Sequence, residues 1–144
     1  MTATLLPSLA CMCASFRRAS RALTQLYEEA LRPIGLRATQ FTVLQALSQT
    51  GEVSQGELGR ILAMDSTTLT RTLVIMARHR WIEKRYGKDR RERRLRLGKP
   101  GHEQLKRALP AWQNAQVQLR RRLGDSLWRE LLNSTTKLTN VVTE

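Results

Sequence analysis

Only three residues, Ala63-Met64-Asp65, separate two short amphipathic segments near the middle of this 144-residue chain. The first, SQGELGRIL, opens on Ser54 and carries Glu57 three residues later. That is the spacing of a capping box, in which each side chain satisfies an orphan backbone N–H. The second, STTLTRTLVIMARHR, follows Asp65 or Ser66, either of which suits an N-cap. Two short helices joined so tightly predict a helix-turn-helix. A wheel of about 100° per residue places Leu69, Leu73 and Met76 on one side of the second helix. Thr67, Arg71, Val74 and Arg78 lie opposite, with Thr68 and Thr70 on the flanks. A face of hydroxyls and arginines opposite a core-facing side suits a major-groove reader. Taken alone, it describes an ordinary solvated amphipathic helix equally well.

The next stretch, WIEKRYGKDRRERRLRLG, favours the first reading. It predicts a strand from Trp81 to Tyr86, a tip at Gly87 to Arg90, and a strand from Arg93 to Leu97. In the latter, Leu95 and Leu97 alternate with Arg94 and Arg96. Lys84 to Lys99 holds nine basic residues against Asp89 and Glu92, so this segment supplies +7 of the chain's +13. Charge gathered on one element directly after a helix-turn-helix reads as a basic wing. The overall excess predicts attraction to a polyanion, either nucleic acid or an anionic membrane surface.

Helices flank this centre. Apolar residues from Leu5 to Leu31, including Leu9, Cys13, Phe16, Leu23 and Tyr27, recur at helical spacing until Pro33 and Gly35 end the run. A second helix spans Ala38 to Ser48 and buries Phe41, Leu44 and Leu47. After Pro100, a stripe of Leu105, Leu109, Trp112, Ala115, Leu119 and Leu123 predicts a long helix with a kink near Pro110. Asp125 or Ser126 then caps a last helix carrying Leu127, Leu131, Leu138 and Val142. The length fits one domain. The expected class is mainly α with a small β-hairpin wing.

This order of parts resembles a MarR-family winged helix-turn-helix transcriptional regulator over nearly the whole chain, from about Cys13 onward. The residues that carry the resemblance are Gly56-Glu57-Leu58-Gly59, the helix from Asp65 to Arg78, and Asp89 with Arg91 in the wing. The resemblance implies one MarR-like domain at 1–144. Residues 1–35 and 100–144 would be dimerisation helices, and 36–99 the winged-helix DNA-binding region. It implies a cytoplasmic, homodimeric repressor that binds double-stranded DNA at a palindrome and is released by a small ligand or an oxidant. An architectural, nonspecific nucleic-acid binder is the alternative, which net charge alone supports equally. One departure stands out. Arg80 sits where the family commonly ends this helix with glycine, and a non-glycine residue in a left-handed cap costs about 1 kcal/mol.

On DNA, Ser66, Thr67, Thr68, Thr70 and Arg71 are expected at base edges near the start of the recognition helix, with Arg78 further along. Ser54 would present free N–H groups to a phosphate. Arg90 and Arg91 at the wing tip would enter the minor groove, with Lys88 as a further DNA-binding residue and Asp89 orienting a wing arginine. The only histidines are His79 and His102, no Cys/His/Asp constellation emerges, and no glycine-rich phosphate loop exists. The chain is therefore expected not to be an enzyme, and to need no metal or cofactor.

The two cysteines, Cys11 and Cys13, stand one residue apart. A zinc site lacks further ligands, and a bridge between i and i+2 on a helix would join side chains about 200° apart. The bland expectation is that Cys13 is a small buried hydrophobe on the stripe with Leu9 and Phe16. Similarity to the organic-hydroperoxide-sensing branch of the family offers another. There Cys13 takes the place of the reactive cysteine, a candidate redox sensor, and Tyr27 that of the tyrosine bonding its thiolate across the dimer. A second tyrosine of that branch corresponds to Ala38. No apolar run is long enough to cross a membrane. The start, MTATLLPSLAC, lacks the basic region of a leader. With two cysteines and no secretion signal, a cytoplasmic location is expected.

Overall fold

The structure, a computed structural model, describes residues 5–144; the stretch weighed as a leader begins outside them, at residues 1–4. Ten short elements follow one another: α1 (Met12–Leu31), a 3-10 turn (Arg32–Ile34), α2 (Ala38–Thr50), β1 (Val53–Ser54), α3 (Gln55–Leu62), α4 (Ser66–Arg78), β2 (Ile82–Tyr86), β3 (Arg93–Leu97), α5 (Lys99–Leu123) and α6 (Asp125–Thr143). The mainly α architecture with a small sheet as its wing is the one the periodicities predict.

Helix α1 begins later than the apolar spacing suggests. Pro7 holds Leu6 extended and supplies no N–H, and the few residues before Cys11 cannot nucleate a turn of their own. Leu9 therefore lies outside the helix, where its carbonyl accepts the Ser15 hydroxyl at 2.9 Å. Cys11 is the N-cap, with φ −78° and ψ 119°. The pair is thus not wholly helical, and the opposed-direction argument against a bridge does not hold for Cys11. Cys13 is exposed rather than buried, as is Cys11.

One core joins the winged domain to the flanking helices. Leu31, Leu44, Leu58, Leu69, Leu73, Met76 and Leu95 have essentially no exposed surface. They come from α1, α2, α3, α4 and β3, and Leu105 and Ala108 of α5 join the same cluster. The sheet is antiparallel with order β1-β3-β2. Ile82 pairs with Leu97 and Tyr86 with Arg93, while Val53 pairs with Leu95. Strand β1 was not expected, because two residues are too few to show alternation. It fastens the start of α3 to the root of the wing.

The end of α4 explains why β2 starts at Ile82 rather than Trp81. Arg80 has φ 59°, its N–H reaches the Ala77 carbonyl, and the Trp81 N–H reaches that of Met76. This pair of bonds is a Schellman closure, so Trp81 belongs to the helix cap and not to the strand. The left-handed position expected to favour glycine is thus occupied by arginine. His79 stacks on Trp81 with ring centroids 4.3 Å apart.

Helix α5 runs through Pro110 without a break. Gly124, at φ 84°, both ends α5 and caps α6. Asp125 and Ser126 are therefore inside α6 and do not cap it, and the Asp125 carboxylate instead accepts from Arg120 Nε at 2.7 Å. No residue of α6 is buried, and Leu127, Leu131, Leu132, Val141 and Val142 stand exposed, as do Met12, Phe16 and Leu23 on α1.

Candidate nucleic-acid interface

Three elements converge on one side of the winged domain: the start of α3, the recognition helix α4 and the wing. Ser54 caps α3, its hydroxyl accepting from the Glu57 N–H at 3.1 Å. Among the described residues the reciprocal bond from the Ser54 N–H to the Glu57 carboxylate is not made. Ser54 also belongs to β1, paired with Arg94, so only half of the expected capping box forms. Asp65 rather than Ser66 caps α4, its carboxylate accepting from the Thr68 N–H at 3.0 Å. That interaction with Thr68 holds the Asp65 carboxyl below its ordinary range. A carboxylate at this end also favours the helix dipole.

With Leu69, Leu73 and Met76 buried, Ser66, Thr67, Thr68, Arg71 and Arg78 are left exposed on α4. Arg71 and Thr68 share a cleft of about 240 Å³ with Arg37 and Thr39 at the start of α2. Thr70 is half-buried on the flank beside α3, where its hydroxyl accepts from Gln55 Nε2 at 3.1 Å. Gln55 was not foreseen from the sequence. Its position just after an N-cap gives no periodic cue that it faces a neighbouring helix.

Three strand arginines of the wing are paired with acids, whereas among the described residues Lys84 and Arg93 on the strands are not. Arg94 bonds Glu92 at 2.9 Å and Glu52 at 3.4 Å, Arg85 lies 3.7 Å from Glu52, and Arg96 bonds Glu83 at 2.7 Å. The bonds to Glu92, and then to Glu52, hold the Arg94 guanidinium above its ordinary pKa. These strand arginines are neutralised locally. Among the described residues, Lys88, Arg90 and Arg91 at the tip have no acidic partner, and all three are exposed. Asp89 forms no ion pair with them. Its carboxylate accepts the Arg91 N–H at 3.1 Å, and its carbonyl accepts the Glu92 N–H at 2.9 Å, so it shapes the tip through the backbone. Arg91 and Arg93 meet Ser54, Gln55 and Gly56 across a cleft of about 390 Å³.

A different cleft, of about 470 Å³, opens between α1, α2, α5 and α6, lined by Phe16, Leu23, Tyr27, Ala38, Phe41 and Trp112 among others. No charged side chain lines it. The Tyr27 hydroxyl donates to Gln116 Oε1 on α5, and burial raises its pKa. Cys13 and Tyr27 sit fourteen residues apart on one helix, roughly 21 Å at 1.5 Å per residue. A contact between them requires two chains. Among the described residues no group of His, Cys, Asp and Glu could hold a metal, and no helix is long and apolar enough to cross a membrane.

A capped recognition helix, a preceding helix pinned to it and a basic two-stranded tip define a winged helix-turn-helix protein. Residues 34–92 match the MarR family model. The fold superimposes on the M. tuberculosis transcriptional regulator MosR, crystallised in complex with DNA, at a TM-score of 0.84 and 34% identity, covering 92% of this chain and 96% of that one. It also superimposes on a mutant MarR from E. coli complexed with operator DNA, at a TM-score of 0.79 and 22% identity, over 88% and 92% of the two chains. In sequence it is 32% identical over 82 residues to the uncharacterized HTH-type transcriptional regulator YwoH of Bacillus subtilis, a match covering 57% of this chain and 60% of that relative. The chain belongs to the MarR family, and it is a transcriptional regulator of that family rather than an enzyme.

Proposed function

We propose that the chain acts as a homodimeric repressor that recognises a palindromic operator in double-stranded DNA. The observation that carries this reading is the basic tip of the wing: among the described residues Lys88, Arg90 and Arg91 stand exposed there without an acidic partner, next to Arg93 and Lys84, which are also unpaired, while Arg85, Arg94 and Arg96 are paired with acids. Cations left free at one point suit a groove contact. In this reading Ser66, Thr67, Thr68, Thr70 and Arg71 meet base edges, Arg78 and the N-terminus of α3 at Ser54 meet phosphates, and the tip enters the minor groove. Residues 36–99 form the DNA-binding region. Residues 1–35 and 100–144 form the dimerisation helices, whose exposed apolar faces on α1 and α6 exceed what the core covers.

Release by a small uncharged aromatic or aliphatic compound is favoured by the cleft beside Tyr27 and Trp112. Its lining is apolar, and Ala38 leaves room that a larger side chain would fill. Oxidation at Cys13 is the second route, supported by the exposure of its thiol.

The reading is tested by selecting preferred sequences from random duplexes with the purified protein. A two-fold symmetric site with half-sites about one turn, roughly 34 Å, apart is the expected product. Enrichment of no sequence over bulk DNA would identify a nonspecific architectural binder instead.

A further inference from the structure

Gln55 is the one described residue with a buried side-chain polar atom that lacks a partner: its Oε1 accepts nothing, while its Nε2 donates to Thr70. An apolar side chain here would avoid the cost of that orphaned oxygen. Among the described residues this side chain makes one hydrogen bond, to Thr70, in which the threonine oxygen is the acceptor. A hydroxyl carries one proton and two lone pairs. With a lone pair engaged by the Gln55 amide, its proton is free to point away from α3.

We infer that Gln55 is a specificity-setting residue, making the Thr70 hydroxyl a hydrogen-bond donor toward the DNA. This rests on the reading of α4 as a base reader. Gln55 never needs to touch a base to do so. In the major groove such a donor favours acceptor edges, guanine N7 and O6 above all, because opposite the cytosine N4 amine only the remaining lone pair is used and the proton finds no partner. Gln55 also lines the cleft that Ser54 and Gly56 form with Arg91 and Arg93, and the larger one of about 680 Å³ beside Ser66 and Leu69. It therefore sits where α3, α4 and the wing root meet.

The test compares full-length wild-type protein with Thr70→Val, Gln55→Glu and Gln55→Leu. Each is titrated at pH 8 against the selected operator and its single-base variants, after circular dichroism has confirmed folding. Thr70→Val should flatten the preference at one position of each half-site, which locates the base it reads. At that position Gln55→Glu, whose carboxylate accepts the threonine proton, should reverse the ranking from guanine toward cytosine by roughly fivefold or more, the worth of one hydrogen bond. Gln55→Leu frees the hydroxyl to rotate and should broaden the preference without reversing it. A purely structural Gln55 would lower the melting temperature of both variants and leave the ranking of bases untouched. An unchanged ranking in Gln55→Glu, equal weakening at all positions, or no position flattened by Thr70→Val would each overturn the inference. If wild-type protein itself prefers no sequence, the proposed operator recognition fails first.

Discussion

A β-carbon on Gly101 would lie 1.9 Å from the carbonyl oxygen of Trp81, and one on Gly98 would lie 2.5 Å from that of Arg80. The start of α5 therefore packs backbone to backbone against the turn between α4 and β2. Gly98 adds a hydrogen bond, its N–H donating to the Trp81 carbonyl at 3.0 Å. Helix α4, the wing and the long helix α5 are joined at this one point.

Gly101→Ala must push that backbone aside, since both contacting groups are main chain. Overpacking of this kind costs about 1–3 kcal/mol or more. Urea unfolding should show a lower midpoint at unchanged slope. A midpoint equal to wild type would show that α5 can shift freely.

Arg80→Gly should stabilise the protein. The position has φ 59°, where glycine is unstrained, and the gain expected is about 1 kcal/mol. Because the Schellman bonds use only backbone atoms, the cap persists without the side chain. The same urea measurement reads the effect with opposite sign.

Acid should loosen the recognition helix through its cap. The Asp65 carboxyl is held below its ordinary value of 3.8 by bonding with Thr68. Its folded pKa thus lies under its unfolded one, so its stabilisation is complete above about 3.8 and is lost as pH falls through the depressed value. Asp65→Asn keeps an acceptor at the cap but cannot titrate. The difference in melting temperature between wild type and Asp65→Asn should change across this window and be constant from pH 5 to 7.

Neutralising the wing tip should act on all sequences alike. Arg90→Gln with Arg91→Gln removes two phosphate-neutralising charges, lowering the slope of log affinity against log salt by about 1.8. Arg71→Ala should instead relax preference at one base position by roughly tenfold. Fluorescence-anisotropy titrations at several salt concentrations separate the two effects. An unchanged salt slope in the wing variant would refute this mode of docking.

Ala38→Tyr should close the cleft beside Tyr27. If a small aromatic compound releases DNA by binding there, this variant should bind operator normally and ignore the compound. Peroxide release, if it acts through Cys13, should survive in Ala38→Tyr and vanish in Cys13→Ser. Competition assays with each effector on both variants check this.

Much of the fold is local and was therefore legible. The spacing of Leu69, Leu73 and Met76, the Ser54 and Asp65 caps and the alternation of Leu95 and Leu97 each follow from a period or a turn within one segment. The unusual cap at Arg80 was raised only by the family resemblance, and its left-handed backbone, at φ 59°, is seen only in the structure.

Tertiary structure decided what depends on partners distant in sequence. Strand β1 exists only because Val53 finds Leu95, and two residues carry no period of their own. Which wing cations stay free depended on Glu52, Glu83 and Glu92 arriving beside Arg85, Arg94 and Arg96, leaving Lys84, Arg93 and the tip cations Lys88, Arg90 and Arg91 without an acidic partner among the described residues. Exposure of Cys13 depended on what packs over the first turn of α1, which no helical wheel records. Gln55 gave no sign of its hold on Thr70, fifteen residues away, because side-chain hydrogen bonding between helices follows from their packing and leaves no periodic trace. The sequence by itself determined the elements and their charge; packing determined which of those groups remain available to a partner.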